Sequence, residues 1–273
     1  MSRKLSIILG ILIAGGVLFL FFHFFVQSDA DISIPEEANN ITPVDIIPTS
    51  TPVVATTSQP APVVAEPILA TTTTITTTTP KIIKLIVPFT AQAPFGEWSD
   101  PRQQNGCEEA SALIAVSWAR GKTFTLQEAK DTILAISDWE LEKYGSYQDT
   151  SAADTVKRIF NEYFDFHQAE VVNNIVIQDI ITELKNGNLV MVPANGQAIH
   201  NRFFQVPGPD EHMTVIIGYD YQTKEFITND PGTRQGKNYR YDQEVLFNAI
   251  RDYPTGNHLP IKGVSKVMIV VKK

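Results

Sequence analysis

Asn105-Gly106-Cys107-Glu108-Glu109-Ala110-Ser111 holds the only cysteine of the 273-residue chain. The stretch stands where a loop gives way to a helix. Ahead of it, Phe89 to Gly106 is broken by Pro94, Gly96, Pro101 and Gly106. After it, Ala110, Leu113, Ile114 and Trp118 recur at helical spacing, and Gly121 supplies a stop. The spacing predicts a helix over Cys107 to Arg120. A cysteine at its first turn meets unpaired N–H groups and the positive end of the helix dipole, which favour thiolate over thiol. The plain alternative is a small buried hydrophobe, because Cys107 shares its stripe with Ala110 and Ile114.

Outward from this helix the pattern is helices first and strands after. Ile82 to Val87 predicts an opening strand. Thr125-Leu126-Gln127-Glu128 is a capping box for a helix running to Tyr144. Further helices are predicted over 152–163 and 177–185. The period then shortens, and strands are predicted over 189–192, 212–219, 225–228 and 266–271, with a short helix over 242–251. This order predicts an α+β domain over 81–273, a helical layer on a mostly antiparallel sheet. Trp98 is expected to pack, and 195–209 to form an irregular loop.

The first 80 residues read differently. Arg3 and Lys4 precede an apolar run from Leu5 to Val26 that lacks Asp, Glu, Lys and Arg. A spanning helix needs ~20 such residues and a secretory signal fewer. Residues 1–27 are therefore expected to be a transmembrane signal-anchor. The basic flank puts the N-terminus in the cytoplasm and the remainder outside the cell membrane. Residues 28–80 contain no Lys, Arg or aromatic residue and two Thr runs. That composition predicts a disordered, extended stalk reaching roughly 150 Å at most. An exported chain with one cysteine has no internal disulfide. The 30 acidic residues outnumber the 22 basic ones, so nucleic acid is not an expected partner.

A thiol nucleophile needs a base, a group that orients the base, and donors for the oxyanion. His212 opens a predicted strand and Asp230 ends the next one. A hairpin between those strands sets imidazole and carboxylate side by side. Asn229 is the rival for the orienting role. His200 is expected to be a solvated loop residue; His167 and His258 read as surface or packing residues. No histidine pair has metal spacing, so neither a metal nor another cofactor is expected.

Four stretches carry a resemblance: Val87-Pro88-Phe89-Thr90-Ala91-Gln92, Gly106 to Ser111, Gly208 to Asp220, and Asn229-Asp230-Pro231. In that order and spacing the chain resembles the bacteriocin-processing (double-glycine) peptidases and their stand-alone relatives within the papain-like superfamily. The resemblance spans 83–271. It implies a papain-like fold and thiol-dependent cleavage of a peptide or protein substrate. Cys107 would be the nucleophile, His212 the base and acid, Asp230 the orienting residue, and Gln92 the oxyanion-hole glutamine, with Gln103 and Gln104 as rivals. Glu108-Glu109 departs from the Gly-Pro or Gly-Leu pair of the transporter-linked enzymes, which points to the stand-alone branch. Two other readings stand beside a tethered peptidase: a cell-wall amidase or acyltransferase using the same triad, and a peptidase-like domain that only binds.

Overall fold

The computed structural model describes residues 81–273; the anchor and stalk assigned to 1–27 and 28–80 lie outside the described residues. Among the described residues, no helix is long and apolar enough to cross a membrane. A seven-stranded, wholly antiparallel sheet organises them. Its strands are β1 (Ile82–Lys84), β2 (Ala169–Asn173), β3 (Leu189–Ala194), β4 (His212–Asp220), β5 (Glu225–Asn229), β6 (Lys237–Asp242) and β7 (Val267–Val271). The order is β2-β7-β3-β4-β5-β6, and β1 pairs with the far end of β4. There the backbones close up. A Cβ at Gly218 would sit 2.3 Å from the Ile83 carbonyl oxygen, so this bulge position takes only glycine.

Every residue of β3, β4 and β7 is buried, because helices cover both sheet faces. On one face Met191, Met213, Val215 and Ile269 meet α2 (Cys107–Ala119) and a π-helical segment (Thr155–Tyr163). On the other, Val190, Val192, Ile216 and Val270 meet α5 (Ile177–Lys185) and α6 (Gln243–Ala249). The α+β expectation holds, with two helical layers instead of one. Helix α2 is buried from Cys107 to Trp118, since α3 (Leu126–Tyr144) closes its remaining side. A helix enclosed on all sides needs no polar face.

Local signals fix the helix starts. Asp100 caps α1 (Pro101–Gln104), with Pro101 in the first turn. Thr125 and Glu128 close the predicted capping box of α3, and Gly145 ends it at φ 78°. The helix predicted over 152–163 is one α turn, α4 (Ala152–Asp154), that widens into the π-helix. Gly106 caps α2 without a side-chain bond, so the N–H groups of its first turn remain free of a side-chain cap.

Candidate active site

Cys107 is the first residue of α2 and His212 the first of β4. Ser111 Oγ donates to the Met213 carbonyl at 3.3 Å, tying the two elements together near these ends. Cys107, His212 and Gln92 all line one cleft of about 590 Å³. The β4–β5 pairing carries Asp230 to His212: imidazole Nε2 lies 2.8 Å from Asp230 Oδ1. Nε2 is thereby committed to the carboxylate, and Nδ1 is the ring nitrogen left outside that bond. Phe204 stands edge-on to the imidazole, 5.2 Å between centroids, and holds the ring plane.

Asp230 is fully buried behind His212. Its Oδ1 also accepts from the Gly232 N–H at 2.9 Å; Oδ2 accepts from the Tyr241 hydroxyl and, at 3.4 Å, from Asn201 Nδ2. Burial works to raise this carboxyl, but the imidazole, the hydroxyl and the N–H together hold it below the usual range. Asn229 is excluded as His212's partner. Its amide donates to the Val87 and Pro88 carbonyls and its oxygen accepts from the Asn238 N–H.

Gln92 reaches the cleft with both amide hydrogens engaged, Nε2 lying 3.0 Å from the Gln103 carbonyl and 2.9 Å from that of Gln104. Gln104 also lines the cleft, whereas Gln103 is buried and does not. Trp98 lines the cleft, and so does the 195–209 loop from Phe203 to Pro209.

The expectation that the helix terminus leaves Cys107 as a thiolate is corrected. Burial first, and then the Glu108 carboxylate, push the thiol well above its ordinary range. Sγ donates to Glu108 Oε2 at 3.0 Å. The Met213 backbone pulls the other way and is outweighed. A dipole effect of ~0.3–1 kcal/mol loses to an adjacent anion in a buried site. Glu108 had no assigned role in the sequence, because only the folded chain brings Tyr253 and Thr150 against it.

His258 is exposed, as expected of a surface residue, and it also lines the cleft, its Nδ1 lying 3.1 Å from Glu211 Oε2 and 3.3 Å from Asp149 Oδ2. These three side chains offer metal-type ligand atoms within 4.8 Å of one another. The imidazole already bridges the two carboxylates, so the group satisfies itself. His200 and His167 are exposed, as expected, and lie outside the cleft lining.

A model of the peptidase C39-like family matches residues 84–254. A crystal structure assigned as a C39-like peptidase from Bacillus anthracis is similar at 15% identity and a TM-score of 0.45, covering 71% of this chain and 99% of that one. No curated protein matches the chain.

Proposed function

Since the chain belongs to the peptidase C39-like family, we propose that it is a cysteine peptidase that hydrolyses peptide bonds through Cys107, His212 and Asp230. The observation that carries this reading is the 2.8 Å bond between His212 Nε2 and buried Asp230, with the imidazole and the Cys107 thiol on the walls of one cleft. In this reading the Sγ proton passes to His212 Nδ1 as sulfur attacks the scissile carbonyl. The Cys107 N–H and, after releasing one carbonyl, Gln92 Nε2 receive the oxyanion. The C–N bond breaks as His212 returns the proton to the leaving amine. Water, deprotonated by His212, then hydrolyses the thioester. The basic flank and apolar run of residues 3–26 support tethering to a membrane with the domain outside the cytoplasm.

The test is to incubate the full chain with a peptide mixture and, in parallel, with peptidoglycan fragments, and to identify products by mass spectrometry. Peptide cleavage blocked by iodoacetamide, with one label on Cys107, is the expected result. Cleavage of wall fragments alone would replace the peptidase with an amidase; turnover of neither would leave only a binding domain.

Two variants probe the imidazole. Asp230→Asn keeps the side-chain shape but can no longer hold a charged imidazolium. It is expected to lower kcat by about 10²–10⁴-fold with KM little changed; steady-state kinetics with an unaltered kcat would remove Asp230 from the site. Gly232→Ala would place a Cβ 2.9 Å from His212 Cε1 and 2.8 Å from the Phe204 ring. Displacing the imidazole by a fraction of an ångström is expected to cost about 10-fold or more in kcat while the melting temperature moves little.

A further inference from the structure

We propose that Glu108 is a brake on the nucleophile: its buried carboxylate accepts the thiol hydrogen and holds resting Cys107 in the protonated, unreactive form. The consequence for catalysis rests on the reading of Cys107 as nucleophile; the effect on ionisation does not. Glu108 is almost wholly buried. Oε2 accepts from Sγ at 3.0 Å, while Oε1 accepts from the Tyr253 hydroxyl at 2.7 Å and the Thr150 N–H at 3.2 Å. Three donors and, among the described residues, no cation converge on it. Such a set favours an ionised carboxylate, which only accepts.

The surroundings add to the effect. Glu109 follows on the same helix, Glu140 faces it from α3, Asp149 from the segment before α4, and Tyr253 from the segment after α6. His212 lines the same cleft as Cys107. Arg158 is near, but it acts on Glu140. A thiolate formed beside ionised Glu108 would place two anions in contact in a largely buried setting, where their repulsion is little screened. The pair avoids this when Glu108 is protonated. The carboxyl O–H then points at sulfur as a donor, and the Cys107 thiolate can pair with the His212 imidazolium. Burial raises the Glu108 carboxyl, which moves that release to a higher pH than an exposed glutamate would set.

Glu108→Gln imitates the released state, because its amide keeps an acceptor for Tyr253 and turns a donor toward sulfur. Cys107 is the sole cysteine, so alkylation of the full chain reads this thiol alone. The second-order rate with iodoacetamide is measured from pH 5 to 9 for wild type, Glu108→Gln and Tyr253→Phe. Glu108→Gln is expected to react at least about 10-fold faster at pH 7, with its rate profile shifted toward acid. Tyr253→Phe removes one donor from the carboxylate and is expected to shift the profile the same way, less far. It is isosteric and serves alone if Glu108→Gln does not fold. Unchanged or slower alkylation in the folded variants would overturn the brake. Because alkylation requires no turnover, a chain that cleaves no peptide would sink the proposed activity without touching this result.

Discussion

Cys107→Ala is expected to abolish peptide hydrolysis, a loss of about 10⁴-fold or more, while the domain stays folded. The two halves of this expectation have separate causes. Catalytically, no other thiol exists in the chain to take over, and groups that act as one unit fail together when the nucleophile goes. Structurally, the thiol is one small side chain at the edge of the core, 7% exposed on the cleft wall. Its removal leaves Glu108 with two donors, Tyr253 and Thr150. The melting temperature should therefore change by no more than a stability difference of about 1 kcal/mol. Product chromatography and a thermal melt check both halves. Turnover surviving in the alanine variant would end the thiol mechanism outright.

Alkaline destabilisation is the second large expectation. Glu109 and Glu140 face each other between α2 and α3, both without solvent exposure. Among the described residues, Glu109 Oε2 and both Glu140 oxygens have no hydrogen-bond partner. Burial first and then Glu108 push the Glu140 carboxyl up to about 8, against the pull of Arg158; burial and then Glu140 raise Glu109. A carboxyl whose folded pKa lies above its unfolded value keeps a proton that the unfolded chain releases. Its stabilising contribution is complete below the unfolded value of about 4.5 and declines as pH rises to about 8. Denaturant melts should thus show stability falling between pH 5 and 8. Glu140→Gln removes the titration and is expected to flatten that slope, leaving the variant on the order of 2–4 kcal/mol more stable than wild type at pH 8 with little gain at pH 5. Parallel curves for the two proteins would show that Glu140 does not titrate in this window.

The elements legible in the sequence are those with strong local patterns. The capping box at Thr125, the amphipathic run over Ile177–Lys185 and the continuous apolar strands β3, β4 and β7 appear where the spacing puts them. The strands that escaped detection, β2 and β6, end the sheet, partly buried in β2 and mostly exposed in β6, with polar residues in both, so neither alternation nor a continuous apolar run marks them. The π-helix escaped for another reason. Its apolar spacing differs little from that of an α-helix, and only the hydrogen-bond partner reveals it, as in the Phe164 N–H to Ile159 carbonyl bond.

The same division runs through the candidate site. Cys107 at a helix start, His212 at a strand start and Asp230 past the end of the next strand follow from residue order and period, because those properties are local. The charge environment of the sulfur does not. Glu108 lies beside Cys107 in the chain, yet its burial and its bonds to Tyr253 and Thr150 exist only once distant segments close over it. His258 likewise joins the cleft lining through the folded path of the segment after α6. Residue order therefore determined which groups could react. Packing decided the state in which they rest, because burial and electrostatic fields depend on neighbours that are close in space and remote along the chain.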